Sequence, residues 1–228
     1  MWNRHPAPSS ANAVAIALLL AFVCACNAQT PPSRTAPRFP AGAIWNQDIS
    51  TLSPDPASSA MIASSVAWGT DAAGSTRFQI DFSMHVLYSS WGNVSERPLV
   101  EEGGYYLPDC DTGYPMLLPA IGAIEGSTYY SCNYNDNDCH LFVVQGDDLF
   151  ESYATSVDSA GVHSLCLVKW HLNLVYPPQG RGDGCTSADA AGFPMAPLIF
   201  NPDEVYAAMQ GGGKLGHAIR FILHNDRI

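Results

Sequence analysis

Three carboxylates and two histidines are the residues of this chain best suited to acid–base chemistry. The carboxylates are Glu125, Glu151 and Asp189, and each has apolar or small neighbours in the sequence. Burial beside such neighbours raises the pKa of a carboxyl group toward the range in which it can donate a proton. Hydrolysis of a glycosidic bond needs two such groups, an acid and a nucleophile or base. His140 and His217, which we predict to begin strands, could serve as general acid and base in a polysaccharide lyase.

Each of these five residues also has a structural interpretation. A carboxylate can accept hydrogen bonds from buried backbone amides, and a strand-end histidine is often satisfied by its neighbours. Asp189 is the hardest to assign to a structural role, because the small residues on both sides let the backbone approach closely. Metal binding is a further alternative, in which His140, His217 and His171 would ligate a divalent ion such as copper or zinc. No cysteine and histidine spacing in the sequence suggests zinc, and we predict no resident cofactor.

Alternation of apolar and polar residues predicts that strands position these groups. Over residues 78–85 every second residue is apolar, which is the pattern of a half-buried strand. Gly, Asp, Asn and Pro clusters separate further predicted strands at 140–145, 148–153, 164–173 and 217–223. Short helices are predicted at 56–66 and at 202–209, the second opened by Asn201. Many strands and few helices indicate an all-β domain, as an antiparallel β-sandwich or a jelly-roll-like barrel.

The N-terminal residues predict export. An unbroken apolar run over 13–23 follows a weakly basic start and precedes small residues at 26–28, as in a signal peptide. The segment Val23-Cys24-Ala25-Cys26 also resembles a bacterial lipobox, in which Cys26 would carry a lipid anchor. We therefore predict a secreted or cell-envelope protein with a leader over 1–28, a Pro/Ser/Thr-rich tether over 29–38 and a single β-rich domain over 39–228.

Charge and aromatic residues restrict the partners. The 21 acidic residues against 10 basic ones give a net charge of −11, which repels phosphate backbones, so we exclude nucleic acid as a partner.

Rigid, amphipathic rings in turn-rich segments are candidate platforms for sugar faces; they are Trp45, Trp91, Tyr105, Tyr106, Tyr129, Tyr130 and Tyr134. Their alternative role is packing. The expected form is a monomer that meets an extracellular polysaccharide or a cell-wall glycan.

Five cysteines lie beyond the leader, and export would let them form disulfides. Cys132 and Cys139 bracket a polar loop and are the most natural pair. Cys166 with Cys185 is the next pair that the spacing favours. Cys110 is then either a buried free thiol or the true partner of one of these cysteines, because connectivity does not follow from sequence.

Several segments together resemble a family of secreted bacterial proteins that has no secure activity. They are His140 before an apolar strand, Leu149-Phe150-Glu151, the Thr-Ser-Ala-Asp-Ala-Ala-Gly-Phe-Pro loop at 186–194 and the His-Ala-Ile-Arg-Phe segment at 217–221. The resemblance spans nearly the whole chain after the leader. It implies a shared site and does not name the reaction.

The chain departs from the pattern of that family at three places. His171 stands where the family has Asp, and Cys185 replaces the Trp before the Thr-Ser-Ala-Asp loop. Members of the family also continue past the strand that corresponds to residues 217–221, whereas this sequence stops at Ile228, so we expect a terminal strand of the family to be missing here. An exchange of Asp for His near a site, or loss of that strand, would alter or abolish a reaction.

Three functions from different classes fit the sequence. The first is a secreted carbohydrate-active enzyme, a polysaccharide hydrolase or lyase that uses the five carboxylates and histidines. The second is a noncatalytic module that binds extracellular glycan or cell-wall polymer. The third is an envelope protein in which these residues only maintain packing. Two carboxyl groups about 5 to 10 Å apart in a cleft would favour hydrolysis. Aromatic rings without nearby acids would favour binding, and a cluster closed to solvent would favour packing.

Overall fold

The computed structural model describes residues 36–64, 83–182 and 188–221. Two α-helices lie in this part of the chain, α1 (Ser58–Ser64) and α2 (Pro202–Gly211), with short 3-10 turns at Ile44–Asn46 and Ala196–Leu198. The strands, in chain order from β1 to β9, are Val86–Tyr88, Val94–Arg97, Leu99–Glu101, Met116–Pro119, Leu141–Gln145, Asp148–Tyr153, Ser156–Val157, Val162–Ser164 and Cys166–His171. The predicted all-β class is confirmed, because mostly strands and only short helices form.

The described strands form three sheets. The largest has the order β1-β5-β6-β9, with β1 parallel to β5 and the other pairs antiparallel. β2 pairs with β4, and β3 lies parallel to β8, which also pairs with β7. The finer expectation of a two-sheet sandwich or a jelly roll stays a prediction.

Both faces of the large sheet are buried, and they are covered in different ways. On one face Leu141, Val143 and Phe150 pack in a cluster that includes residues of β4 and β8. The other face carries Phe142, Leu149 and Val168, together with the core residue Trp170. Irregular chain packs on this second face, notably residues 188–200, which we call the covering segment. Ala188, Met195 and Ala196 of that segment are buried in the same cluster, so its backbone polar groups must find partners inside the protein.

The strands predicted at 140–145 and 148–153 form as β5 and β6, and the run at 164–173 is divided between β8 and β9. The strand predicted at 217–223 is absent from its described part, 217–221. There the Ala218 amide donates to the Trp45 carbonyl and the Arg220 amide to the Leu198 carbonyl, so successive bonds reach different segments and no ladder forms. Of the strand predicted at 78–85, residues 78–82 lie outside the described residues, and 83–85 are irregular chain ahead of β1.

Both predicted helices form, with shifted ends. α1 begins at Ser58, two residues after the predicted start, and residues 65–66 of the prediction lie outside the described residues; α2 extends past 209 to Gly211. Asn201 caps α2 as predicted, because its side chain accepts from the Glu204 amide while the Glu204 side chain accepts from the Asn201 amide.

Leader residues 1–28 and most of the tether lie outside the described residues. Ala36 and Pro37, at the end of the tether, are already buried. In the part of the chain that the structure describes, no helix has the length and apolar character to cross a membrane.

Two disulfides connect the described cysteines. Cys132–Cys139 is confirmed, whereas Cys110 pairs with Cys166, so the predicted Cys166–Cys185 bond is wrong. The segment around Cys110 runs along the edge of β9, where the Tyr106 amide donates to the Leu165 carbonyl and the Asp111 amide to the Leu167 carbonyl. These backbone bonds bring Cys110 beside Cys166, which is a contact that spacing along the chain does not reveal. Cys185 lies outside the described residues. Both disulfides are compatible with an extracellular location.

Loss of the Cys110–Cys166 bond should destabilise the protein more than loss of Cys132–Cys139. The first bond closes a loop with a sequence separation of 56 and the second one of 7, and a longer loop restricts the unfolded chain more. We expect the paired Cys110→Ser, Cys166→Ser variant to lose about 3 to 5 kcal/mol of unfolding free energy, measured by urea denaturation. The Cys132→Ser, Cys139→Ser variant is the matched control, and an equal loss in both would contradict this assignment. Peptide mapping without reduction reads the pairing directly.

Candidate functional site

Glu125 and His140 form a buried pair where the chain enters β5. The Glu125 amide donates to the His140 carbonyl at 2.9 Å, and the His140 amide donates to Glu125 Oε2 at 3.1 Å. His140 Nδ1 lies 2.6 Å from the same Oε2, and Nε2 lies 3.3 Å from the Ala188 carbonyl of the covering segment. The two residues are only 8% and 6% exposed. The pair therefore connects the start of β5 to the covering segment.

The partners of His140 determine its protonation state. A carboxylate oxygen and a carbonyl oxygen only accept hydrogen bonds, so both ring nitrogens must carry hydrogen. Burial by itself would lower the pKa of His140, but the hydrogen bond and charge of Glu125, together with the Ala188 carbonyl, raise it above its ordinary value. These contacts favour the imidazolium form of His140. This form is not a general base, and it has no nitrogen lone pair left for a metal.

Glu151 lies in the core, on the face of the large sheet that the covering segment packs against. It is fully buried, and it faces Phe142 on β5 and Val168 on β9. Its Oε1 accepts from the Met195 amide at 2.8 Å and from the Ala196 amide at 2.7 Å, and its Oε2 accepts from the Trp170 indole at 3.0 Å. Burial raises the pKa of Glu151 to about 7, although these three donors and the charge of His140 oppose the rise. This carboxylate satisfies backbone amides that would otherwise be orphaned in the core.

Asp189 lies in the covering segment and is bound on both of its carboxylate oxygens. Oδ1 accepts from the Ala191 amide at 2.9 Å, and Oδ2 forms an ion pair with Arg220 Nε at 2.5 Å. The Asp189 carbonyl accepts from the Gly192 amide, which closes a turn at the small residues noted in the sequence. Asp189 is 7% exposed. Its contacts therefore stabilise a turn and attach it to the segment at 217–221.

His217 lies at a junction with Arg38 and Glu204. The guanidinium of Arg38 can only donate, so His217 Nε2, at 2.8 Å, accepts, while Nδ1 donates to the Ala218 carbonyl at 2.7 Å. Arg38 also pairs with Glu204 at 2.5 Å and donates to the carbonyls of Pro197 and Ile199 in the covering segment. Arg38 falls within the predicted tether, so this role was not expected from the sequence. An arginine in a Pro-rich stretch gives no signal of a contact so far along the chain.

All five predicted residues thus hold the covering segment. Asp189 belongs to it, His140 and Glu151 bind its backbone, Glu125 orients His140, and His217 contacts the arginine that binds its carbonyls. The five side chains are hydrogen-bonded and shielded from solvent, which favours a packing role for them.

The three histidines do not converge as a metal site would require. His171 lies at the end of β9, and its Nδ1 is 2.7 Å from Asp148 Oδ1. Neighbouring residues of a strand point to opposite faces, so His171 faces away from the side of the sheet that holds Trp170 and Glu151. Among residues 36–64, 83–182 and 188–221, no group of three or more His, Cys, Asp or Glu side chains could hold a metal ion.

A separate cavity of about 830 Å³ opens at β1. Its lining includes Tyr88, Trp91, Ile121 and Tyr129, together with Ile199 and Phe200 from the end of the covering segment. The Tyr88 and Trp91 rings lie 5.2 Å apart, and Tyr129 is 73% exposed. None of the described lining residues is Asp, Glu, Lys or Arg. Trp91 and Tyr129 were candidate sugar platforms in the sequence, but nothing in their spacing showed that they share one cavity.

Comparison with profiles of known protein families, with curated proteins and with solved structures finds no match to this chain. The resemblance to a family with the Thr-Ser-Ala-Asp loop therefore stays a prediction.

The Glu125–His140 pair should make stability depend on pH. Because the pKa of His140 is raised on folding, its contribution is fully present below about pH 6.5 and is lost as the pH rises through the raised value. Glu125→Gln should lower the unfolding free energy by about 1 to 3 kcal/mol at pH 6 and by less at pH 8.5. Urea denaturation across this range measures the difference, with the exposed Glu96→Gln as control. An equal loss at every pH would show that the pair is not charged.

Proposed function

We propose that this protein is a secreted, noncatalytic glycan-binding module and that the cavity at β1 is its sugar site. The observation that carries the proposal is the lining, in which Trp91, Tyr88 and Tyr129 supply rings and no described residue supplies a carboxylate. Aromatic faces are rigid and amphipathic, so they bury the apolar face of a sugar at low entropic cost. A concave, mostly apolar cavity of this size is typical of a small-molecule site.

The charge of the lining indicates a neutral sugar. An anionic polymer such as a uronic acid chain would favour Lys or Arg, and a cationic one would favour Asp or Glu. The described lining has neither, and the net charge of −11 disfavours polyanions further. Polar lining groups include Thr128 and His85, both exposed, which can exchange hydrogen bonds with hydroxyl groups. The expected ligand class is a neutral extracellular or cell-wall glycan.

Hydrolysis or lyase chemistry is the competing proposal, and the contacts of the candidate residues weigh against it. Glu125, Glu151 and Asp189 are each 8% exposed or less, and each already accepts hydrogen bonds from protein donors. A polysaccharide could reach these carboxylates only if the contacts that bury them were broken. Secretion, on which both proposals depend, rests on the leader pattern and the disulfides.

Trp91→Ala should weaken glycan binding by about tenfold or more, because buried aromatic anchors carry most of the energy of a binding site. Tyr129→Ala should weaken it less, since that ring is more exposed. Calorimetry with neutral glucan, xylan, mannan and chitin oligomers, beside polygalacturonate, measures both effects. Tyr106→Ala, an exposed tyrosine outside the described lining, is the matched control.

The same samples test the competing proposal, because new reducing ends would show hydrolysis and ultraviolet absorbance from unsaturated sugars would show a lyase. Turnover that Asp189→Ala abolishes in a folded protein would replace the binding proposal with the enzymatic one. Absence of both binding and turnover across the panel would reject both.

Gly122 should tolerate no side chain in the wall of this cavity. A Cβ there would lie 2.2 Å from the Tyr130 hydroxyl and 2.8 Å from Leu87 Cδ1. The Tyr130 hydroxyl donates to the Pro119 carbonyl at 2.7 Å, so its displacement breaks a hydrogen bond as well as the packing. We expect Gly122→Ala to cost about 1 to 3 kcal/mol of stability by urea denaturation and to weaken glycan binding. Gly103→Ala, where no atom lies within 4 Å, is the control and should be nearly neutral.

A further inference from the structure

We propose that Glu151 is a positioning residue for the cavity and that, through the covering segment, it makes the shape of the cavity wall depend on pH. Glu151 does not line the cavity, but it binds the segment whose last residues do. The consequence for ligand affinity rests on the proposed glycan-binding function. The effect on the wall itself does not.

A short segment with a restricted backbone connects the amides that Glu151 binds to the cavity wall. Glu151 Oε1 holds the amides of Met195 and Ala196, and the 3-10 turn Ala196–Leu198 follows at once. The Leu198 amide donates to the Met195 carbonyl, which closes the turn, and Pro197 restricts its backbone. Ile199 then enters the cavity wall. A shift of the amides at the start of this turn is therefore transmitted to the wall, because the turn has little freedom to absorb it.

A second anchor holds the other side of the same turn. Arg38 donates to the Pro197 carbonyl at 2.7 Å and to the Ile199 carbonyl at 3.1 Å, while it pairs with Glu204 and contacts His217. An arginine stays charged at every working pH, so this anchor keeps its donors. The first anchor is the Glu151 carboxylate, which accepts the hydrogen bonds of the two amides and which titrates. Acid should therefore loosen the start of the turn while its end stays attached.

Three donors already occupy the two oxygens of Glu151, so a proton added to either oxygen competes with an existing bond. Burial raises the pKa of this carboxyl to about 7, which puts the change in the neutral range. His140, with its partner Glu125, is the charged group that acts on Glu151 from the β5 side. Further out, Tyr153 contacts the His140 ring, Arg181 lies 6.0 Å from the Trp170 ring, and the covering segment carries the Asp189–Arg220 ion pair. The charge of His140 favours the ionised carboxylate, so it opposes the rise in the pKa of Glu151 that burial causes.

The direction in which stability and the cavity wall change with pH distinguishes a positioning role of Glu151 from a role in stability alone. Because folding raises the pKa of Glu151 from 4.5 to about 7, its contribution to stability increases as the pH falls through that window. The hydrogen bonds to the covering segment weaken over the same window. If Glu151 only stabilised the core, acid would change the unfolding free energy and leave the cavity wall unaltered.

The test uses the full 15N-labelled chain between pH 5 and 8.5. Nuclear magnetic resonance follows the amides of Met195, Ala196, Ile199 and Phe200 and the Trp170 indole, while calorimetry measures the affinity for cellohexaose as a neutral probe. We expect all five resonances to titrate with one midpoint near 7 and the affinity to fall by about 3- to 10-fold from pH 8 to pH 5.5. The inference would be overturned if the amides of the wall residues Ile199 and Phe200, the wall amides, did not titrate, or if the affinity for cellohexaose were constant with pH. If the wall amides titrate but cellohexaose does not bind, cellohexaose is not the ligand. If no glycan of the panel binds, the glycan proposal fails. In both cases the titrating amides would still support the positioning role of Glu151.

Glu151→Gln should remove the dependence on pH, because the amide keeps an acceptor oxygen and does not titrate. Ser164→Ala is the matched control, since this buried hydroxyl bonds the Ser152 hydroxyl and the carbonyls of Tyr153 and Cys166; its profile should keep the wild-type midpoint. If Glu151→Gln fails to fold, Trp170→Phe removes one donor to the carboxylate and should raise the midpoint of the wall amides. An unchanged midpoint in a folded Trp170→Phe protein would also overturn the inference.

Discussion

The hydrogen bonds that Glu151 accepts from the covering segment are the interaction on which the rest of this structure depends. Irregular chain covers one face of the large sheet, and its amides have no ladder to join. Buried amides without acceptors would each cost about 1 to 3 kcal/mol. A carboxylate that projects from β6 among apolar residues supplies the acceptors, and the cost of its own burial appears as the pKa raised to about 7. The covering segment and the Glu151 carboxylate therefore cover this face of the sheet, in a position that a further strand could have occupied.

The other polar residues of the site extend the same arrangement. His140 binds the start of the covering segment, Asp189 attaches it to Arg220, and Arg38 binds its end. Each of these three residues has a partner, and in the described part of the chain no buried side-chain nitrogen or oxygen lacks a hydrogen bond. A loop held at so many points on a rigid sheet can form a defined wall, which is how irregular chain comes to carry binding sites. The acids and histidines would then serve a ligand indirectly, by shaping the surface that meets it.

The sequence singled out the five buried acids and histidines because each combines a carboxylate or histidine with apolar or small neighbours. Their roles were not recognisable. A buried acid that binds backbone amides and a buried acid that donates a proton have the same local sequence, and they differ only in what lies opposite. The amides opposite Glu151 come from residues 44 and 45 positions further along the chain. The cavity was equally hidden, since β1, the turn at 120–129 and the end of the covering segment meet only in three dimensions.

The sequence by itself determined the all-β class, the strands β5, β6 and β9, the capped helix α2 and the Cys132–Cys139 bond. These depend on side-chain period, on capping residues and on short loops, all of which act within a few residues. Only the tertiary structure decided that Cys110 pairs with Cys166, that residues 217–221 form no strand, and that five candidate site residues hold one segment. Such outcomes depend on which distant backbone groups compete for a partner, and local pattern carries no information about that competition.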